Sequence, residues 1–116
     1  MNIDQAFAFN EQTLRFRVAR TEVLASNLAN VNTPGYLAKD VEFKDVFSAT
    51  NRDISLQQRI EQEYRYRIPQ QNSRDGNTVE LGVEQAKFAE NQMDFQMSLT
   101  FFNMKLSGIK KVLEAG

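Results

Sequence analysis

Chemistry in this chain falls to carboxylates, lysines and tyrosines, because its 116 residues include neither cysteine nor histidine. That removes disulfides, thiolate nucleophiles, most zinc sites and the commonest general base together. There is no glycine-rich turn to hold a cofactor's phosphate, and the remaining titratable groups are not gathered into a convergent set. No catalytic, cofactor-binding or metal-binding residue is therefore assigned. The one segment with a binding-like pattern is Glu63-Tyr64-Arg65-Tyr66-Arg67-Ile68-Pro69, where aromatic and arginine residues alternate. Such alternation marks single-stranded nucleic-acid platforms, but a net charge of -1 offers no excess of positive charge to hold a polyanion. The period of two reads instead as a short strand or hairpin arm with Tyr64, Tyr66 and Ile68 on one face. Neither nucleic acid nor a small-molecule substrate is expected as a partner.

Two long helices must position whatever this chain does. From about Ile3 to Asn30 there is no proline or glycine, Asn2 is a suitable N-cap, and Gln5 stands where a capping-box partner belongs. Along this segment Phe7, Leu14, Val18, Thr21, Ala25 and Leu28 form a heptad-like seam, with a second line through Ile3, Leu24 and Val31. Glu11 precedes Arg15 by four residues, a favourable helical ion pair. Thr33-Pro34-Gly35 then ends the helix, since Pro34 disfavours the α region at Thr33 and Gly35 supplies the positive φ of a type II turn. Asn27, Asn30 and Asn32 crowd this exit, where asparagine serves either local backbone bonding or contact between subunits.

Tyr36 to Phe47 contains Val41, Phe43, Val46 and Phe47, enough to dock an extended segment onto a helix without a core of its own. Ser48 to Glu80 is poor in large apolar residues and is expected to bury little. The last segment, about Val83 to Ala115, is again helical. Phe88, Gln92, Phe95, Leu99, Phe102, Leu106, Ile109 and Leu113 alternate steps of four and three, a seam expected to face the first helix. A second line, Met93, Met97, Phe101, Met104, Gly108 and Val112, runs down an adjacent side and is nearly as apolar. Acidic residues lie near the start of this helix and lysines near its end, as the helix dipole favours.

These features predict a mainly all-α protein. Residues 1–35 and 81–116 form an elongated, coiled-coil-like helical hairpin, and residues 36–80 an extended polar middle with a short strand or hairpin. Two helices cannot cover both apolar lines of the second one, so Leu14, Val18, Leu28, Phe88, Phe95, Leu99, Phe102 and Leu106 are assigned to the intrachain seam. Met93, Met97, Phe101, Met104 and Val112 are assigned to contacts with other subunits, which methionine's adaptable side chain suits. A helical adaptor or secretion chaperone in a discrete complex is the alternative to an extended assembly. No run of about 18 apolar residues is present, and Met1-Asn2-Ile3-Asp4 lacks the pattern of a cleaved signal.

Leu24-Ala25-Ser26-Asn27-Leu28-Ala29-Asn30-Val31-Asn32-Thr33-Pro34-Gly35-Tyr36 resembles the amino-terminal signature of the flagellar axial proteins, which form the rod, hook and hook junctions. Asp75-Gly76-Asn77-Thr78-Val79-Glu80-Leu81, Phe88-Ala89-Glu90-Asn91-Gln92 and Phe95-Gln96 resemble the carboxy-terminal part of proximal rod members. The match covers both terminal segments, about two thirds of the chain. Gly82 departs from it, standing where relatives tend to carry Asp as a helix cap, and the middle is short. The resemblance implies a structural subunit of the proximal rod, stacked helically around an export channel and transmitting torque. It also implies export through the flagellar type III apparatus without a cleaved signal, and a place in the periplasmic part of the basal body. The expected partners are copies of itself, other rod proteins, the small adaptor joining rod to membrane ring, and the export apparatus.

Overall fold

A computed structural model of the chain describes residues 3–48, 54–66 and 76–115. The elements are α1 (Ile3–Ala29), β1 (Lys39–Asp40), α2 (Phe43–Phe47), α3 (Leu56–Gln62), β2 (Arg65–Tyr66) and α4 (Leu81–Ala115). The protein is mainly α-helical. At 1.5 Å per residue α1 and α4 are about 40 and 52 Å long, and they lie antiparallel, the Phe7 ring meeting Phe102 near one end and Asn27 meeting Glu84 near the other. The chain measures 66 × 29 × 18 Å, with a radius of gyration of 17.7 Å; a compact chain of this length has about 13 Å.

Local chemistry explains where the elements start and stop. The exposed Glu11–Arg15 pair closes at 2.7 Å within α1, an arrangement worth about 0.3–0.5 kcal/mol. Pro34 and Gly35 break the chain after α1. Ser55 caps α3 through a complete capping box, its hydroxyl accepting from the Gln58 N–H while the Gln58 side chain accepts from the Ser55 N–H. α4 begins at Leu81, so Gly82 lies inside the first turn rather than capping it.

The middle of the chain is where expectation and structure part. The expected short strand is present, in a two-stranded antiparallel ribbon that pairs Lys39 with Tyr66 and Asp40 with Arg65, but two short helices, α2 and α3, stand where extended chain was expected. Tyr64 packs against the core while Tyr66 is exposed, so the two tyrosines do not share an environment. The strand is only two residues long, and Tyr64 precedes it, outside the alternation. Ile68 lies outside the described residues.

This middle also completes the buried apolar cluster: Val41, Phe43, Val46 and Phe47 dock on α1 as expected, and Leu56, Ile60 and Tyr64 join them from the stretch Ser48 to Glu80, which was expected to bury little. Phe16, Val41, Val46 and Ile60 are fully buried together, with Phe43, Phe47, Leu56 and Tyr64 against them. Phe43 and Phe47 stack at 4.3 Å between ring centres, and the edge of Phe16 meets both rings. Phe16 belongs to neither apolar line read from the first helix. The Arg17 guanidinium lies 5.4 and 5.3 Å from the Phe16 and Phe43 rings, and Arg59 lies 5.8 Å from Phe47. A few large side chains therefore suffice, because they converge on one spot of α1.

Candidate functional site

The contact between α1 and α4 is more polar than a heptad of leucines. On α4 the positions turned inward are Glu84, Phe88, Asn91, Phe95, Ser98, Phe102, Lys105 and Ile109, each buried or half-buried. The predicted seam shares the Phe88, Phe95, Phe102 and Ile109 positions with this set. Of its other members Gln92 and Leu99 are likewise half-buried, whereas Leu106 is 50% exposed and Leu113 more so. On α1, Leu14 and Leu28 are half-buried and Val18 is 48% exposed, on a groove bordered by Gln57 of α3. The physical reason is pairing. Asn91 donates to the Arg17 carbonyl at 3.0 Å and to the Thr21 hydroxyl at 2.8 Å, and Glu84 accepts from the Asn27 amide at 2.9 Å. Both side chains are fully buried; these bonds offset the burial of the Glu84 carboxylate and the Asn91 nitrogen, while the Asn91 side-chain oxygen meets no partner among the described residues.

The exit of α1 is a dense hydrogen-bond knot. Pro34 and Gly35 occupy the central positions of a turn closed by the Tyr36 N–H on the Thr33 carbonyl at 3.3 Å, and Gly35 has φ +73°, the type II geometry. Asn27 is fully buried; its amide oxygen accepts from the Lys39 N–H at 3.1 Å and its nitrogen donates to the Lys39 carbonyl at 2.7 Å, so one side chain stands in for a strand neighbour. Asn30 donates back to the Ser26 carbonyl and accepts from the Thr33 hydroxyl, Tyr36 shares a hydrogen bond with Ser26, and Asn32 is exposed.

Backbone carbonyls of the turn that follows α1 are also met from the far side of the sequence. The Asn77 side-chain nitrogen lies 2.9, 3.2 and 2.6 Å from the carbonyl oxygens of Asn30, Val31 and Thr33, while its oxygen accepts from the Val79 N–H at 2.7 Å. The Thr78 N–H donates to the Tyr36 carbonyl, and its hydroxyl accepts from the Ala38 N–H. Arg20 joins α1 to β1 by a bidentate pair with Asp40, at 3.0 and 3.2 Å. Burial opposes the Arg20 charge, but the hydrogen bonds and charge of Asp40, helped by Glu90 and Asp94, outweigh it and raise the guanidinium above its ordinary basicity. Asn77, Glu84, Asn91 and Arg20 were all missed by the apolar periodicity. A signal did exist, since Asn77, Glu84 and Asn91 are spaced by seven, as are Arg20 and Asn27.

The outer side of α4 is the opposite environment. Met93, Met97, Phe101, Met104 and Val112 are exposed, from 54% at Phe101 to 72% at Val112. At the open end of the hairpin Ile3, Ala6, Phe7, Ile109, Val112 and Leu113 line a cavity of about 480 Å³ that is almost wholly apolar. Among the described residues no acidic cluster of metal-binding shape occurs, and no helix is long and apolar enough to cross a membrane. This arrangement holds a backbone junction rigid and presents an apolar face; it gathers no reacting groups.

Comparison with known proteins agrees with that character. Residues 13–36, the second half of α1 with its turn, match the family described as flagella basal body rod protein. The flagellar basal body rod protein FlgB of Escherichia coli K12 is 36% identical over 133 aligned positions, covering 98% of this chain and 96% of the relative. FlgB of Aeromonas hydrophila is 34% identical over 127 positions, with the same coverage, and FlgB of Proteus mirabilis HI4320 is 32% identical over 133. A helical hairpin with a polar-locked seam, an asparagine-rich exit and an uncovered apolar face thus goes with full-length similarity to rod proteins, and the chain belongs to the FlgB family of flagellar basal body rod proteins.

Proposed function

We propose that the chain serves as a structural subunit of the proximal flagellar rod, stacking helically with copies of itself and with other rod proteins around an export channel. The observation that carries this reading is the exposed apolar face of α4. Covering its five large side chains is worth about 1.5–3 kcal/mol each, roughly 10 kcal/mol gross, against which association and ordering costs of similar size must be set. Folding of the hairpin ends and assembly are then closely coupled. In this reading residues 1–35 and 81–116 carry the axial contacts, while residues 36–80 brace α1 and hold its exit angle. Torque passes through the hydrogen-bonded exit of α1, which resists bending better than an apolar contact that can slide. The protein has no catalytic role. Its remaining partners are the small adaptor between rod and membrane ring and the flagellar type III export apparatus, through which it reaches the periplasmic rod.

The test is substitution of Met97 and Phe101 by glutamine in the source strain. Expression is expected to persist while rods fail to form and swimming stops. A double variant that builds normal rods removes the α4 face from the assembly and with it the main support for this reading.

A further inference from the structure

Sulfur in this chain is confined to its first residue and one stripe of α4. There are no cysteines, and the four methionines are Met1, Met93, Met97 and Met104. At 3.6 residues per turn, Met97 and Met104 lie about 40° and 20° around the helix from Met93, so three thioethers share one line about 17 Å long. They are 66%, 65% and 65% exposed. Phe101, also exposed, stands four residues after Met97 and three before Met104, a neighbour of both on the helix surface. Met104 further borders a shallow cavity of about 440 Å³ with Thr100, Asn103 and Lys111, which opens its flank to water.

Among the described residues the buried parts of the molecule hold no methionine. The apolar cluster on α1 is built from phenylalanine, aliphatic side chains and Tyr64, and the inward positions of α4 carry Glu84, Phe88, Asn91, Phe95, Ser98 and Phe102. A two-electron oxidant therefore finds its targets on the outer face of α4, with no thiol, imidazole or indole in the 116 residues to compete. The reaction is an oxygen transfer. The sulfur lone pair attacks one oxygen of hydrogen peroxide, the O–O bond breaks and an S–O bond forms, and the departing hydroxide takes the proton of the transferred oxygen and leaves as water. Sulfur is oxidised, peroxide is reduced, and a flexible apolar side chain becomes a polar one.

We propose that Met93, Met97 and Met104 form an oxidation-sensitive patch, open to sulfoxidation by peroxide in the free subunit, and that sulfoxides on it bar this face of α4 from assembly. The inference deepens the rod reading, on which it rests, by naming a modification that regulates the same face. Once neighbours cover the stripe, its sulfurs are out of reach of water and peroxide alike, so the chemistry separates free subunits from assembled ones. The hairpin survives the modification, because none of the three side chains is buried against α1.

Peptide mass spectrometry under graded hydrogen peroxide tests this, following the gain of about 16 Da at each methionine. In the purified full chain all three sulfurs are expected to react within about threefold of the rate of free methionine, with circular dichroism showing that helicity is kept. In basal bodies isolated from cells carrying this chain, the same three are expected to react at least about tenfold more slowly. Met93→Gln, Met97→Gln and Met104→Gln in one chain imitate the polarity of the sulfoxides with a residue that suits a helix; the protein is expected to stay helical and the strain to stop building rods. The first two measurements use the unaltered chain and decide the matter even if the variant fails to fold. A sulfur in the free chain that lags about tenfold behind the others, equal rates in free chain and basal bodies, or rods built by the triple variant each overturns the proposal. Rod membership is read without the methionines, by whether peptides of this chain from outside α4 are found in the basal bodies. Their presence beside any of those three outcomes rejects the oxidation patch and leaves the rod reading standing; their absence rejects both.

Discussion

Asn77 offers the sharpest test of what holds the exit of α1. Its amide nitrogen has two hydrogens and faces three carbonyl oxygens, at 2.6, 2.9 and 3.2 Å, in a residue only 6% exposed. Truncation to alanine removes about two donated hydrogen bonds and the one accepted from the Val79 N–H, which at about 1 kcal/mol each sums to about 3 kcal/mol. For a chain of this size that lowers Tm by roughly 10–20 °C. Aspartate separates the donor role from shape. It keeps the size and the oxygen that accepts from Val79, but turns a second acceptor toward the three carbonyls. Asn77→Asp should therefore be less stable than Asn77→Ala at neutral pH. Below about pH 4 the aspartic acid is protonated and donates again, so its deficit against alanine should shrink. Thermal unfolding followed by circular dichroism on dilute protein, at pH 7 and pH 4, reads all three forms. An Asn77→Asp protein melting within a degree or two of wild type at pH 7 would refute the donor argument.

Other positions give further measurable outcomes. Arg20→Ala breaks the bidentate pair and strands the Asp40 carboxylate, expected to cost about 2–3 kcal/mol in urea unfolding; Asp40→Asn should cost less, because its side-chain oxygen still accepts from the Val41 N–H at 2.7 Å. Tyr64 holds its proton in the folded protein at pH values where the unfolded chain releases it. Stability is thus fully present below about pH 10 and falls as the pH rises beyond it, and Tyr64→Phe should flatten that loss in an alkaline series of melts. Glycine substitutions should act with opposite signs. Gly35→Val is strained at φ +73° and should destabilise by about 1–2 kcal/mol, whereas an alanine Cβ at Gly108 meets no atom within 4 Å and should stabilise the helix by about 1 kcal/mol.

The long helices, the proline–glycine stop and the mainly α-helical fold were legible in the sequence because each rests on local rules: uninterrupted helix formers, a fixed φ, and an apolar stripe at period 3.5. The inner face of α4 was not. Two heptad phases share Phe88, Phe95, Phe102 and Ile109, and hydrophobicity ranks the phase containing Leu99, Leu106 and Leu113 above the one containing Glu84, Asn91 and Ser98. Ser98 and Leu99 are both half-buried, but Glu84 and Asn91 are fully buried while Leu106 and Leu113 are exposed. The cause is that Asn91 and Glu84 find partners on Thr21, Arg17 and Asn27, and periodicity within one helix carries no trace of a partner across the interface. The stretch Ser48 to Glu80 was misjudged by counting. Leu56, Ile60 and Tyr64 are few, but they close on the cluster that Phe16 forms with the docked Val41, Phe43, Val46 and Phe47. The Ser55-x-x-Gln58 box that starts α3 was readable and marks a helix within a stretch otherwise rich in polar residues. The exposed α4 residues were picked out because they were left over once the seam was filled, and the structure leaves them exposed for a related reason: among the described elements α1 supplies nearly all the packing against α4.

The seven-residue spacing of Asn77, Glu84 and Asn91 has a mechanical meaning for a hairpin that is loaded along its axis. Sliding α4 by one heptad keeps its phenylalanines in phase with α1, so an apolar zipper alone would permit the slip. Here the slip carries Glu84 about 10 Å. In one direction it arrives where Asn91 now donates to the Arg17 carbonyl; in the other it approaches the α1 exit, where Asn77 donates to three carbonyls. Either way an acceptor is driven against acceptors. Carboxylate and amide at Glu84 and Asn91, with Asn77 just ahead of α4, work as a toothed rack with one position at which donors face acceptors, and that position sets the axial register of the hairpin.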